Sequence, residues 1–68
     1  MQKLSLKMAR VQAGLTQEEI AKKMGTNRVT YADYENYTTI MRMDKAVLFS
    51  KIVQVPLDEI IFLKKNYT

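Results

Sequence analysis

The 68-residue chain is expected to fold as an all-α domain of five short helices. Three observations predict this. Helix-start signals recur at Thr16, Asn27 and Pro56. Apolar residues lie three and four apart in the segments between the breaks. The two glycines and the single proline fall where those patterns lapse.

Leu6, Ala9, Arg10 and Ala13 share one helical stripe, which stops at Gly14. Thr16-Gln17-Glu18-Glu19 reads as a capping box: the Thr16 hydroxyl accepts from the Glu19 amide, and the Glu19 carboxylate reaches back to the Thr16 amide. The second helix then runs to Met24, with Ile20, Ala21 and Met24 inward. Gly25 ends it, since a residue without Cβ enters the left-handed region freely. Asn27 caps a third helix from Arg28 to about Glu35, in which Tyr31 and Tyr34 lie three apart. The connection from Tyr37 to Arg42 is polar, then mixed. Met43 to Val53 follows, and its β-branched residues leave a buried strand as an alternative. Asp44 near its start and the spacing Met43, Ala46, Val47, Ser50, Val53 favour a helix. Pro56-Leu57-Asp58-Glu59 opens a fifth helix, with proline pre-setting φ and two carboxylates at the positive dipole end. No strand is expected.

Composition narrows function. A chain this short makes one domain with a thin core, so self-association is a reasonable aid to stability. Absent cysteine removes disulfides and thiolate chemistry and fits a cytoplasmic home. Absent histidine leaves a metal only carboxylates, and the usual nucleophile and proton-shuttle arrangements are missing. An enzyme therefore stands well behind a binding function, and no cofactor or metal is expected. Ile60-Ile61-Phe62-Leu63 is far too short to span a membrane, and "MQKLSLKMAR" lacks the apolar stretch of a signal peptide. Eleven basic against seven acidic residues give +4. That balance suits nucleic acid or an anionic surface, though ordinary solubility charge explains it equally well.

Two short helices joined by a glycine-containing turn form a helix-turn-helix, here over about 16–36. Ala21 lets the second helix approach closely, and Ile20, Met24, Tyr31 and Tyr34 supply the contact between the two. "GLTQEEIAKKMGTNRVTYADYEN" resembles the helix-turn-helix of the Cro and phage-repressor (xenobiotic-response-element) family. "VQVPLDEIIFL" is similar to the junction of the family's fourth and fifth helices. The likeness runs from about Leu6 to Leu63, with the C-terminal helix and tail over 56–68. The tyrosines and the tail "IIFLKKNYT" look most like small regulators of phages and mobile elements of Gram-positive bacteria. The resemblance implies a single lambda-repressor-like, five-helix DNA-binding domain, bacterial and nucleoid-associated. It further implies a homodimer on a two-fold double-stranded DNA operator, with the third helix as recognition helix. No membrane and no small-molecule ligand enters that picture.

Helix geometry sets the outward flank of the third helix as Val29, Ala32, Asp33 and Asn36, with Arg28 at its first turn. Arg28 can place two donors on guanine O6 and N7, or hold a phosphate. Val29 suits a thymine methyl. Asp33 can accept from cytosine N4 or stand as a solvated surface charge. Phosphate contacts are expected from Gln17, which commonly does this in the family. Thr16, Asn27, Thr30 and Asn36 can add neutral donors, and Lys7, Lys22, Lys23 and Arg42 a diffuse field. Arg10 and Glu35 lie on otherwise apolar faces, so they are expected to pair as a partly buried salt bridge joining the first helix to the third. Ile60, Ile61, Phe62 and Leu63 cannot all face one core if helical, which makes them the candidate dimer interface. Departures from the family pattern sit at Thr26, Tyr37 and Gln54, and in "YTTIMRMD", which lacks the usual proline. The reading is a sequence-specific transcriptional regulator, most simply a repressor. The alternatives are an antitoxin-type autoregulator and a helical protein-interaction module without DNA binding.

Overall fold

The computed structural model describes residues 3–63. Among them are four α-helices: α1 (Leu6–Gln12), α2 (Gln17–Lys23), α3 (Arg28–Glu35) and α4 (Met43–Val53). The starts follow local chemistry. Ser5, Thr16 and Asn27 each accept, through a side-chain oxygen, the backbone amide three residues on, and at Thr16 the reciprocal Glu19 contact completes the capping box. The Thr16 amide beside it pulls the Glu19 carboxyl below its ordinary pKa. The segment Met43–Val53 is helical, so the strand alternative falls.

All four helices close with a left-handed residue, at Gly14, Gly25, Tyr37 and Gln54. At α2 the Gly25 amide donates to Lys22 and the Thr26 amide to Ala21, two of the carbonyls a helix end otherwise leaves bare. The Lys45 ammonium, reaching from α4, covers the Met24 carbonyl at 2.8 Å. Tyr37 (φ 60) and Gln54 (φ 58) adopt the same conformation with a side chain present.

The fifth helix is not formed over the described residues, and here the sequence expectation needs correction. Leu57–Glu59 make one 3-10 turn, after which Ile60–Ile61 run extended as β2. They pair in parallel with β1 (Leu4–Ser5), Leu4 opposite Ile60 and Ser5 opposite Ile61. The Tyr37 hydroxyl locks this junction: it accepts from the Leu6 amide at 3.2 Å and donates to the Ile61 carbonyl at 2.8 Å. Two consecutive β-branched isoleucines suit an extended segment better than a helix. The remainder of the expected C-terminal tail, 64–68, lies outside the described residues.

The core joins Leu6 and Ala9 of α1, Ile20, Ala21 and Met24 of α2 and its cap, Tyr31 of α3, and Ala46, Phe49 and Val53 of α4. Met41, Val55 and Ile60 close it. Tyr31 stacks on Phe49 with ring centroids 6.5 Å apart, and Phe62 meets Phe49 edge-on at 6.2 Å. Extended geometry turns Ile60 and Phe62 inward and leaves Ile61 and Leu63 exposed. Ile60 and Phe62 therefore belong to the chain's own packing, and of the four expected interface residues only Ile61 and Leu63 face solvent. Ala13, expected on the inner stripe of α1, is its exposed C-terminal cap.

Candidate nucleic-acid interface

The α2–α3 pair owes its close approach to Ala21, which is 1 % exposed. Ile20, Met24 and Tyr31 are equally buried around it, and Tyr34 is half-buried. Tyr31 stacks on Phe49 of α4 and so seats the inner side of α3 on the body, with Tyr34 edge-on beside it. The other flank of α3 faces outward.

On that flank Val29 is 69 % exposed, and Arg28 is exposed at the first turn. Ala32 and Asp33 are half-buried farther along, and Asn36 is exposed at the end. The Asp33 carbonyl receives the Thr38 and Thr39 amides, so the backbone there belongs to the α3 closure. Thr16 and Asn27 use their oxygens as caps, leaving the Thr16 hydroxyl hydrogen and the Asn27 amide group free to donate. Thr30 is half-buried beside them. A shallow recess lined by Arg10, Gly14, Thr16, Gln17 and Arg28 opens at the α1–α2 turn, with Arg28 at its α3 edge. Lys7, Lys22, Lys23 and Arg42 are exposed. Arg42 lies 3.8 Å from Asp44, which offsets part of its charge.

Behind this surface sits an ionic network. Arg10 Nε is 2.5 Å from Glu35 Oε2, with side chains only 11 % and 5 % exposed. A second guanidinium nitrogen reaches Glu35 Oε1 at 3.4 Å, and the third donates to the Leu15 carbonyl at 2.9 Å. Arg10 thus ties α1, the α1–α2 turn and α3 together. Gln17 Nε2 donates to Glu35 Oε1 at 3.0 Å, and Gln17 Oε1 accepts from Arg28 at 3.3 Å. Sequence reasoning paired Arg10 with Glu35 and placed Gln17 and Arg28 separately on the surface. It missed that Gln17 bridges the two, because nothing in the spacing of 17, 28 and 35 signals a three-way contact.

Burial raises the Glu35 carboxyl, but hydrogen bonds from Arg10 and Gln17 outweigh it and hold the group below the usual carboxylate range. The hydrogen bond to Glu35 raises Arg10 in turn. The Tyr31 hydroxyl lies fully buried beside them, without a partner of full hydrogen-bond geometry. Burial, and then the neighbouring Glu35 carboxylate, push its pKa up, so it stays a neutral phenol.

Among the described residues no three acidic side chains cluster as a metal site, and no helix is long and apolar enough to cross a membrane. No curated protein and no solved structure matches the chain. The helix-turn-helix family model matches residues 6–60, from the first residue of α1 to the first of β2. That family is a DNA-binding regulatory one and not a family of enzymes. With the match spanning most of the 68 residues, and with α3 held by its tyrosines to expose an arginine-led flank, the chain belongs to the helix-turn-helix family of the Cro and phage-repressor type, whose members are DNA-binding transcription regulators.

Proposed function

We propose that this protein is a sequence-specific repressor of the phage or mobile-element kind, acting as a homodimer on a two-fold operator. The observation that carries the reading is the exposed start of α3, where Val29 lies opposite the buried Tyr31 and Arg28 projects from the first turn. Arg28 reads a guanine in the major groove, a contact worth about 1–3 kcal/mol of discrimination. Val29 meets a thymine methyl, and Asp33 accepts from a cytosine or excludes other bases. Gln17, Thr16, Asn27, Thr30 and Asn36 hold phosphates on either side. Exposed Ile61 and Leu63 support pairing of two subunits, which sets the recognition helices about 34 Å apart, one turn of duplex.

Selection of duplexes from a random pool, followed by titration at several salt concentrations, tests this reading. A regulator of this kind enriches a two-fold symmetric site. Its log affinity falls linearly with log salt, at a slope of about −0.9 per phosphate neutralised. Arg28→Ala relaxes preference at one base position in each half-site. A flat salt response with no enriched site favours the second reading, a helical protein-interaction module. Exposed Ile40 and Met43 beside the Arg42–Asp44 pair are the features on that side. An antitoxin that represses its own operon binds DNA in the same way, and differs by having a protein partner.

A further inference from the structure

We propose that Glu35, whose largely buried carboxylate is engaged by Arg10 and Gln17, is a positioning residue for Arg28 and acts through the carboxamide of Gln17. The inference rests on the reading of Arg28 as a base contact. An ionised carboxylate only accepts hydrogen bonds, whereas a carboxamide presents a donor end and an acceptor end. Glu35 Oε1 takes the donor end of Gln17 at 3.0 Å. The acceptor end must then point away, and it lies 3.3 Å from Arg28 Nη1. Which way Gln17 faces is therefore decided by Glu35, and Glu35 is itself held in place by Arg10 from the other side.

The order of donors and acceptors gives the arrangement its sense. Arg28 donates to Gln17, Gln17 donates to Glu35, and Arg10 donates to Glu35 from behind. Reversing Gln17 would set its NH2 group against the Arg28 guanidinium, donor facing donor. A guanidinium carries five N–H groups, so the one engaged by Gln17 leaves four for a base edge. The arginine meets the groove already restrained, and the ordering a long flexible side chain otherwise undergoes on binding is largely done beforehand. Discrimination at that base is thus set in part by a residue at the far end of α3 whose side chain is 5 % exposed. Gln17 acquires a second role beside any phosphate contact. Its loss falls hardest on the sequence that Arg28 prefers, and not evenly on all sequences.

The decisive variant is Glu35→Gln. The oxygen of the new carboxamide stays with Arg10 Nε, its NH2 group takes the place of Oε1 and gives up the longer 3.4 Å contact from Arg10, and Gln17 must turn over. The measured quantity is the ratio of Kd values for two duplexes at fixed salt: the preferred duplex, and the same duplex changed at the base pair identified by Arg28→Ala. The expected result is a folded variant whose ratio falls about tenfold, while binding to an unrelated duplex changes by less than about twofold. Adding Gln17→Glu to that variant restores an acceptor facing both the carboxamide on α3 and Arg28. The ratio then recovers, although the added charge weakens binding to every duplex. An unchanged ratio in folded Glu35→Gln, or no recovery in the double variant, overturns the proposal. If Glu35→Gln does not fold, Gln17→Met keeps the Arg10–Glu35 pair. A selective loss of the ratio then supports the relay, and an even loss across duplexes overturns it. A wild-type protein with no duplex preference at all defeats the DNA-binding reading itself, an outcome distinct from failure of the relay.

Discussion

Replacing Arg10 by methionine is expected to destabilise the domain by an amount that depends on pH. Methionine keeps much of the apolar stem but removes every charged partner of Glu35, leaving it the Gln17 amide. Breaking a buried pair typically costs about 3–5 kcal/mol. The variant can escape by folding with Glu35 protonated, which puts a ceiling on the charge penalty. An ordinary glutamate titrates near 4.3, so holding the group neutral at pH 7 costs about 3.7 kcal/mol. The expected loss at pH 7 is therefore about 3 kcal/mol, against a total stability of about 3–10 kcal/mol for a chain of this length. Tm should fall by about 15–20 °C.

The pH dependence has opposite signs in the two proteins. In the wild type Glu35 titrates below its unfolded value, so its contribution is present above that value and is lost as pH falls through the folded pKa. In Arg10→Met burial acts without the guanidinium and the folded pKa rises, so stability is regained as pH falls towards about 4.3. The deficit should shrink to about 1 kcal/mol there, and Arg10→Met with Glu35→Leu should recover most of it at pH 7. Urea denaturation followed by circular dichroism at about pH 7 and about pH 4.5, on either side of most of that titration, measures both. A deficit under about 1 kcal/mol at pH 7, or one of equal size at both pH values, refutes the reasoning.

Tyr37→Phe removes the oxygen that takes the Leu6 amide and holds the Ile61 carbonyl; about 1–2 kcal/mol should be lost. Amide exchange should quicken at Leu6, and unchanged protection there would dismiss the clasp. Gln54→Gly relieves an exposed side chain at φ 58 and should stabilise by about 0.5–1 kcal/mol, the larger backbone entropy of unfolded glycine taking back part of the gain. A fall in Tm would show that Gln54 has a role beyond closing α4. Tyr31→Phe deletes a buried hydroxyl that lacks a well-aligned partner. Stability should stay level or rise by up to about 1 kcal/mol, and a loss of more than about 0.5 kcal/mol would mean the hydroxyl supports Glu35.

The helical part of the fold was legible because local chemistry and tertiary packing agree there. Thr16 with Glu19, Asn27, and Gly25 each specify a boundary through backbone hydrogen bonds that need no distant partner. The extent of α4 could likewise be read from its spacing. The C-terminal segment was misjudged because Pro56-Leu57-Asp58-Glu59 does start a helical turn, but its continuation is decided elsewhere. Tyr37 and Leu4 supply partners for Ile60 and Ile61 from 24 and more residues away, and a signal of that range leaves no local trace. The error then spread to the interface, because four consecutive apolar residues mean one thing on a helix and another on alternating faces of a strand. At the recognition surface Val29 could be placed from helix periodicity, and Arg28 from its position in the first turn of α3. Gln17 could be put on the surface, yet not into its bridge, because that contact depends on how α2 and α3 cross.

The apolar core alone does not fix where Arg28 points. Ile20, Ala21, Met24, Tyr31 and Phe49 would tolerate a slight rotation of α3 at small cost, since apolar contact is non-directional. Hydrogen bonds are directional, and Glu35 gathers them from α1 and α2 onto α3. A hydrophobic pair in place of Arg10 and Glu35 would serve stability about as well, but it would leave Gln17 free to face either way. Retaining a buried ion pair in so small a domain therefore makes most physical sense as a device for orientation. Replacing the pair as a whole should therefore change which base is read before it changes how firmly the domain is folded.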